Sequence, residues 1–445
     1  MPQNKKGRTV SLVTFGCAKN LVDSEVMLGY LRRAGYTFST DPEKADVVVL
    51  NTCGFIKPAK KEAVQAFEKA VALKRRKKKT RVVATGCYVE RNKDALRLDY
   101  PEIDIWLGVR DFDKIVQAIE GTPFRGGNRT FLCSHHTPRL LSTPPSWAYL
   151  KISEGCSHEC AFCAIPLIKG PYRSRSISSI VEEAKELGRR GVKEINLISQ
   201  DTTYFGRDKG TKDGLVRLLG RLIEVSGIRW IRILYGYPEE ITDSLLDIMA
   251  EDKICSYLDI PFQHAERRVL RGMKRSLDGR RALALIEKVR KRLPDVALRT
   301  SLIVGFLGEG RKEFESLKAF VRAARFDHLG VFCYSPEEGT DSFRAGDPIP
   351  EGVKIDRQEE IMQIQSEISL SMNRKYLNGL VEVIIENQSP AGGKETFGRA
   401  RFQAPEVDGV IHIGDYPPVP GHLKPLEKVE IVATDVYDLY GKIVR

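Results

Sequence analysis

The sequence lacks any long apolar run. Stretches such as Val47–Leu50 are far shorter than the roughly 20 residues that a membrane-spanning helix needs. No apolar core of a secretion signal precedes the strand-like segment Thr9–Phe15. The nine cysteines are an odd number, which fits poorly with complete disulfide pairing. We therefore expect a cytoplasmic protein with no membrane partner, in which grouped cysteines bind metal rather than form disulfides.

The length and charge of the chain suggest several domains and an acidic partner. A chain of 445 residues predicts two or three domains, and its formal charge is +12. Residues 376–445 hold seven Lys/Arg and ten Asp/Glu, a charge of −3, which leaves +15 for residues 1–375. The densest basic run, around Lys74–Lys79, could contact a polyanion such as RNA; a solvated helix end is the alternative.

Three cysteines are crowded into eight residues, at Cys156, Cys160 and Cys163. Soft thiolates select iron–sulfur sites, and three this close can hold three irons of a cubane [4Fe-4S] cluster. No fourth cysteine is nearby in the sequence, so one iron is left open for a small ligand. A zinc site with His158 is the alternative, but the CxxxCxxC spacing favours the iron–sulfur cluster.

The N-terminal region alternates strand and helix patterns, as in an α/β domain with a parallel sheet. The predicted strands are Val10–Phe15, Asp46–Leu50 and Arg81–Ala84, and the predicted helices include Ser24–Ala34 and Lys57–Leu73. A Gly/Cys turn follows each strand and contains Cys17, Cys53 or Cys87. Carboxyl ends of parallel strands share one edge of a sheet, so these cysteines are expected to converge on a second cluster. Three independent buried cysteines are the alternative.

An irregular segment, Gly121–Pro145, follows and contains Cys133, His135 and His136. These residues could be extra metal ligands, but a linker with incidental polar residues is the favoured interpretation.

The strand–helix alternation resumes from Trp147. Six βα units predict an incomplete TIM-like barrel, with its chemistry at the carboxyl ends of the strands, and the CxxxCxxC loop does follow the first strand. The predicted strands are Ala148–Ile152, Glu194–Ile198, Trp230–Tyr235, Ser256–Ile260, Leu298–Val304 and His328–Tyr334. A helical segment, Gly352–Tyr376, leads to four short strands that predict a small antiparallel β-barrel, at Leu380–Glu386, Gly398–Phe402, Gly409–Ile413 and Glu427–Asp435.

Over essentially its whole length the chain resembles the radical S-adenosylmethionine (SAM) methylthiotransferases. Several motifs are similar to the RimO branch of that family, which modifies a ribosomal protein rather than tRNA. They are residues 16–25 (GCAKNLVDSE), 51–56 (NTCGFI), 199–206 (SQDTTYFG), 259–265 (DIPFQHA), 334–340 (YSPEEGT) and 404–409 (APEVDG). The last of these resembles the TRAM domain of that branch.

The resemblance implies a domain order, two clusters and an activity. The domains would be a flavodoxin-like methylthiotransferase domain (8–124), a linker (125–145), a radical-SAM (βα)6 domain (146–375) and a TRAM barrel (376–445). Cys156, Cys160 and Cys163 would hold the catalytic [4Fe-4S] cluster that binds SAM, and Cys17, Cys53 and Cys87 an auxiliary [4Fe-4S] cluster. The implied substrate is an aspartate of ribosomal small-subunit protein twelve, methylthiolated at its β-carbon with SAM as both radical source and methyl donor.

The resemblance also assigns contacts with SAM and the substrate. SAM would contact Phe162, Ile165, Pro166, Gln200, Asp201, Gly305 and Glu309. For His264 a structural hydrogen bond and a binding role are both open. The acidic tail suits a Lys/Arg-rich ribosomal protein better than tRNA, with Glu406 and Asp408 as candidate contacts. Ala18, Lys169 and Leu307 depart from the family pattern, in which proline, arginine and proline are usual.

Partners follow from the same resemblance. A flavodoxin or ferredoxin would donate electrons, and the basic run near Lys74–Lys79 could contact the ribosome. Two alternatives remain: methylthiolation of a tRNA adenosine by the same chemistry, and a non-catalytic iron–sulfur protein that binds RNA or the ribosome.

Overall fold

The computed structural model describes residues 7–54, 56–386, 396–414 and 425–444. Phe55, in one of the motifs above, and parts of the tail whose charges were counted lie outside these ranges. The chain forms two compact units. The first holds the described residues up to Ser142 with Lys151–Ser179 and Glu337–Thr340; the second holds Thr143–Leu150, Ile180–Pro336 and the described residues from Asp341 onward. Among the described helices, none is long and apolar enough to cross a membrane.

The first unit is built on a parallel five-stranded sheet in the order β2-β1-β3-β4-β5, the flavodoxin-like order. Its central strand is buried along its whole length, which explains its unbroken apolar run. The strands are β1 Thr9–Thr14, β2 Thr37–Phe38, β3 Val47–Thr52, β4 Arg81–Gly86 and β5 Ile105–Leu107. The helices are α1 Ala18–Arg33, α2 Lys57–Arg76, α3 Cys87–Asp99 and α4 Ile115–Glu120.

Helix α1 begins six residues before the predicted start at Ser24. Cys17 has extended backbone dihedral angles and caps the helix. The first turns bury polar side chains, among them Asn20 and Asp23, so apolar periodicity did not reveal them. The two- and three-residue strands β2 and β5 were missed because they are too short to show alternation.

The irregular segment after α4 packs on α1. The buried Glu25 carboxylate accepts hydrogen bonds from the Arg139 guanidinium (2.6 and 2.8 Å) and from the backbone and hydroxyl of Ser142 (2.7 and 3.0 Å). The segment therefore follows a defined path without secondary structure of its own.

The second unit contains the six predicted strands of the (βα)6 domain, in sequential order. They form two three-stranded sheets, β6-β9-β10 and β11-β12-β13, joined by a parallel bridge between Ile231 and Ile254. The strands are β6 Trp147–Lys151, β9 Glu194–Ile198, β10 Trp230–Ile233, β11 Tyr257–Asp259, β12 Ala297–Val304 and β13 His328–Cys333; Lys151, the last residue of β6, belongs to the first unit. A two-stranded ribbon in the first unit, β7 Ser153–Glu154 and β8 Arg173–Ser174, was not predicted. Helix α5 Ile165–Lys169 and the first three residues of α6 Ile177–Arg189 also belong to the first unit. The remaining helices are α7 Gly214–Ile223, α8 Asp243–Ile248, α9 Arg267–Gly272, α10 Gly279–Arg292, α11 Arg311–Ala324 and α12 Glu351–Asn373.

The C-terminal strands close into a barrel in the order β14-β15-β16-β18-β17, as the prediction of a small β-barrel requires. They are β14 Leu380–Glu386, β15 Thr396–Ala400, β16 Ile411–Ile413, β17 Leu426–Thr434 and β18 Leu439–Ile443. The last strand was missed, although it closes the barrel against β16 and β17. The core is apolar, with Val383, Ile411 and Val429 fully buried.

Candidate functional site

The three strand-end cysteines lie at one edge of the first unit's sheet. Cys17, Cys53 and Cys87 follow β1, β3 and β4, which are neighbours in the sheet. A β-carbon placed on Gly16 would lie 2.5 Å from Cys53 Cβ and 2.9 Å from its Sγ, so the Cys17 turn is pressed against Cys53. The first residue of that turn, Gly16, therefore has to be glycine. Cys17 is exposed, whereas Cys53 and Cys87 are buried.

Asn20, in the first turn of α1, connects the three strand ends. Its amide nitrogen donates to the carbonyl oxygens of Phe15 (3.0 Å) and Thr52 (3.1 Å), and its side-chain oxygen lies 3.6 Å from Cys87 Sγ. The Asn51 amide donates in turn to the Asn20 carbonyl at 2.8 Å. One buried amide thus contacts the turns that follow β1 and β3 and the first residue after β4. This explains why asparagine occurs in both the GCAKN and NTC motifs.

The electrostatics of Cys87 also indicate that these cysteines are close together. Burial raises the pKa of the Cys87 thiol to about 12. The buried Lys169 ammonium opposes the shift, whereas Cys53 and Cys17 add to it. An iron ligand must be a thiolate, so iron binding here has to displace a firmly held proton.

The β7–β8 ribbon pairs the residues that precede the CxxxCxxC loop with those that follow it. Gly155 has a φ of +78°, and a β-carbon there would lie 2.2 Å from the Pro171 carbonyl oxygen. The Cys156 backbone N–H donates to the Gly170 carbonyl (3.1 Å), and that of Cys163 donates to the Cys160 carbonyl (3.0 Å). All three cysteines are half-buried. Phe162, Ile165 and Pro166, the predicted SAM contacts of this loop, are half-buried beside them.

A cluster of four buried charges, which sequence reasoning missed as a group, lies in the same unit. Lys169 Nζ lies 3.0 Å from Asp23 Oδ2 and 3.7 Å from Glu154 Oε2. Lys151 Nζ lies 2.5 Å from Glu154 Oε1 and also pairs with Asp23. Each of the four side chains is at most 4 % exposed. Two sequence features could have indicated this cluster: the lysine at the end of the otherwise apolar segment WAYLK, and the unusual lysine at position 169.

This charge cluster links the two cysteine sites. Asp23 is on α1, the helix that Cys17 caps; Glu154 and Lys169 flank the CxxxCxxC loop on its two sides. Ala164 and Ile168, from that loop's helix, pack against Cys87. Burial by itself would raise the pKa of Asp23, but Lys151 and Lys169 outweigh burial and hold this pKa below its usual value. The two lysines have raised pKa values because Asp23 and Glu154 outweigh their burial. Asp23, Lys151 and Lys169 are therefore charged near neutral pH.

The donor sets fit two cubane clusters. Each set offers three cysteines, the first set on the CxxxCxxC loop and the second at the sheet edge, and each cysteine of a cubane binds a different iron. Among the described residues, no three His, Cys, Asp or Glu side chains are grouped around a single metal ion. Of the remaining cysteines, Cys133 and Cys255 are buried, and the Cys333 thiol donates to the Gln358 side chain (3.6 Å).

The predicted SAM contacts of the second unit lie at strand ends. Gln200 is half-buried, and the Asp201 carboxylate accepts hydrogen bonds from Thr203 and shapes the turn after β9. Glu309 Oε1 accepts from the Gly305 backbone N–H at 3.0 Å. These two carboxylates thus stabilise the turns that follow β9 and β12 by accepting hydrogen bonds within them, and their contact with SAM remains a prediction.

His264 has a structural role in this unit. The ring is fully buried; Nδ1 accepts from the Glu266 backbone N–H at 3.0 Å, so in the neutral ring Nε2 carries the proton and donates to Glu309 (3.2 Å). Of the two interpretations left open by the sequence, the structural hydrogen bond is the one observed.

The acidic residues of the APEVDG motif contact the (βα)6 domain. The Asp408 side chain is fully buried: it accepts from the Tyr257 hydroxyl at 2.7 Å and lies 3.4 Å from Arg299 Nε and 3.5 Å from His328 Nδ1. Glu406, whose residue is exposed, accepts from the Tyr149 hydroxyl at 2.7 Å. Both carboxylates have partners within the chain, so the charge count of the tail overstates the negative charge on its surface. Their contact with the substrate remains a prediction.

Most of the basic run at Lys74–Lys79 is neutralised within the first unit. Lys74 pairs with Asp104, Arg75 with Glu102 at 2.5 Å, and both Arg76 and Lys77 with Glu43. Only the exposed Lys78 and Lys79 lack such a partner among the described residues. The run therefore carries much less free charge than its sequence suggests.

Three family models match separate parts of the chain. Residues 9–108 match the model of the uncharacterized protein family UPF0004, residues 150–321 that of the radical SAM superfamily, and residues 380–444 that of the TRAM domain. Among solved structures, the radical SAM methyltransferase TsrM from Kitasatospora setae, solved with tryptophan and a SAM analog, is similar, with a TM-score of 0.54 at 16% identity, covering 74% of this chain and 73% of that one. At this identity the likeness concerns the fold alone.

Curated relatives match over nearly the full length. The chain is 44% identical to ribosomal protein uS12 methylthiotransferase RimO of Aquifex aeolicus (strain VF5), covering 97% of this chain and 96% of the relative. It is 42% identical to the protein of the same name from Pelobacter propionicus, covering 99% of both chains. The three matched domains, the two three-cysteine sites and this full-length identity show that the chain belongs to the RimO family of radical-SAM methylthiotransferases.

Proposed function

We propose that this protein methylthiolates the β-carbon of an aspartate in ribosomal protein uS12. The observation that carries the proposal is the placement, in one compact unit, of two separate sets of three cysteines that differ in exposure. One is half-buried on a loop; the other lies at a sheet edge with two of its cysteines buried. A single radical-SAM cluster would need only the first.

The chain's own residues bind, orient and shield the two groups. Cys156, Cys160 and Cys163 would hold the cluster that binds SAM, and Cys17, Cys53 and Cys87 the auxiliary cluster. Once bound, the reduced catalytic cluster and SAM would supply the radical that removes the β-hydrogen, and the auxiliary cluster with a second SAM would supply the methylated sulfur that replaces it. Asn20 holds the auxiliary turns, and the buried charge cluster holds α1 against both sides of the CxxxCxxC loop. Gly305 and its neighbours would approach SAM through backbone, since Glu309 is occupied internally.

The test is mass spectrometry after anaerobic incubation of the reconstituted enzyme with reductant, sulfide and SAM. One reaction contains uS12 and the other unmodified tRNA. A methylthio gain on a uS12 aspartate is expected. A gain on a tRNA adenosine instead would assign the chain to the other methylthiotransferase activity and refute the proposal, whereas SAM left intact by the reduced protein would indicate a non-catalytic iron–sulfur protein.

We further propose a cytoplasmic location, a flavodoxin or ferredoxin as electron donor, and the domain boundaries given above. A ribosome contact through Lys74–Lys79 would rest on Lys78 and Lys79, because their four neighbours are paired internally. Reduction of the clusters by purified flavodoxin, followed by electron paramagnetic resonance, tests the donor.

A further inference from the structure

The second unit carries a basic surface that the proposed reaction does not use. Residues 266–281, which contain α9 and the start of α10, hold seven Lys/Arg and two Asp/Glu, a formal charge of +5. Six of these basic residues are exposed. A cavity of about 360 Å³ opens among them; four basic residues and one acidic residue line it, namely Arg267, Arg271, Lys274, Arg275 and Asp278. We call this surface the α9 patch.

Several arginines of the α9 patch lack a carboxylate partner. Arg267, Arg271 and Arg280 are exposed and form no ion pair with any described residue. Lys274 differs, since it lies 2.5 Å from Asp341, and the buried Arg275 stacks on Tyr237 with its guanidinium carbon 3.9 Å from the ring centre. The basic run at Lys74–Lys79 shows the opposite pattern, because four of its six members are neutralised. The α9 patch thus carries more free positive charge than the basic run at Lys74–Lys79.

The topology places this patch at the functional end of the (βα)6 domain. α9 follows β11 and lies at the carboxyl end of that strand, where substrates bind in barrels of this kind. Arg275 donates to the Pro261 carbonyl at 2.9 Å, just after β11. Arg268 Nε lies 3.9 Å from the position that a β-carbon on Gly308 would take, beside the proposed SAM-contacting turn. A macromolecule that brings its target residue to this end would meet the patch.

From this placement we infer that the α9 patch binds the phosphate backbone of ribosomal RNA next to the protein substrate. The inference rests on the proposed function. Ribosomal proteins are rich in Lys and Arg, so an unpaired arginine surface would repel uS12 itself, whereas RNA phosphates attract it. Arginine forks match phosphate oxygens in pairs, and a cavity lined by three of them suits a bent backbone. The enzyme would then act on uS12 within RNA-containing particles more efficiently than on free uS12.

The test compares two triple variants of the full-length, cluster-loaded enzyme. Arg267→Gln/Arg271→Gln/Arg280→Gln removes three unpaired charges from the patch. The matched control, Arg75→Gln/Arg76→Gln/Lys77→Gln, removes three paired charges from the basic run. Binding to protein-free small-subunit rRNA and to unmodified small subunits is measured between 50 and 200 mM KCl, and methylthiolation of free uS12 is measured alongside.

The patch variant should lose about two to three units of the slope of log K against log[salt], and about a hundredfold in affinity for rRNA near 150 mM salt. Its kcat/KM on free uS12 should be at least that of wild type, because the removed charges repel uS12, and the control should bind rRNA like wild type. Unchanged rRNA binding by the patch variant, loss in the control instead, or an equal loss of activity on free uS12 would each overturn the inference. Binding to rRNA is measured without turnover, so it tests the inference independently of the proposed function. A wild-type enzyme that binds rRNA but modifies no uS12 would contradict the proposed function and leave the inference standing.

Discussion

Replacing Lys169 by methionine tests whether the buried charge cluster holds the two cysteine sites together. Methionine keeps the length of the side chain and removes its charge. The cluster then contains Asp23 and Glu154 with only Lys151 between them, so one buried negative charge is left uncompensated. Lys169 is 1 % exposed, and therefore water cannot replace the lost ammonium.

The expected loss follows from the distances. At an effective dielectric constant of about 20, a unit charge pair is worth about 5.5 kcal/mol at the 3.0 Å that separates Lys169 from Asp23, and about 4.5 kcal/mol at the 3.7 Å that separates it from Glu154. The variant no longer has to bury the Lys169 ammonium or hold it against the repulsion of Lys151, and these two gains offset much of the lost attraction to Asp23 and Glu154. Breaking one side of a buried ion pair costs about 3–5 kcal/mol overall, and we expect Lys169→Met to fall in this range.

The assay is urea unfolding of the full-length chain, followed by circular dichroism, with the iron content of the reconstituted protein measured in parallel. The control is Asp23→Asn/Lys169→Met, which leaves one lysine and one glutamate. This double variant should recover at least about 2 kcal/mol relative to the single variant, because the remaining charges balance. A loss below about 1 kcal/mol, typical of an exposed pair, or a double variant less stable than the single one, would refute the reasoning.

Three further outcomes are expected. Alanine at all three CxxxCxxC cysteines should leave one [4Fe-4S] cluster and abolish reductive SAM cleavage; 5′-deoxyadenosine formed at the wild-type rate would contradict the assignment. In Gly155→Ala the new β-carbon would meet the Pro171 carbonyl at a φ of +78°, so the strain should exceed about 1–3 kcal/mol and the loop should fail to load iron. The control, Gly121→Ala, places its β-carbon in open space at a φ of +70° and should load iron normally. Burial by itself would raise the pKa of Glu194, but Arg399 and Arg232 outweigh burial and hold this pKa below its usual value. The stability that the Glu194 carboxylate gives the fold is therefore full above about pH 4.3 and is lost as pH falls through the lower pKa of the folded state. Thermal unfolding between pH 3 and 7 should show this loss of stability, and Glu194→Gln should flatten the pH dependence.

The long elements could be predicted because their patterns are local. Helix α2 begins at the predicted residue, Lys57, and ends at Arg76, three residues after the predicted Leu73, since its buried side chains recur at helical spacing. The start of α1 was wrong because its first turns bury polar groups for the cluster site rather than apolar ones. Strand β5 offers too few residues for alternation to appear, and pairing with its neighbour β4 decides it.

The sequence also misjudged charge, because a count cannot tell which charges face each other. The tail's Glu386 and Asp408 pair inward with Arg399 and Arg299, and the basic run pairs with acids more than 25 residues away. The sequence pattern did not indicate the α9 patch, because its arginines are spaced along two helices instead of forming one block.

By itself the sequence determined the α/β architecture, the two sets of three cysteines and the family. These depend on spacing along the chain and on the rule that parallel strands end at a common edge. Only the tertiary structure decided how the cysteine turns are held, through Asn20 and the four buried charges, and which charges remain free for a partner. Those properties depend on distances between residues remote in sequence and on burial, because the strength of a charge pair is set by separation and by the exclusion of water.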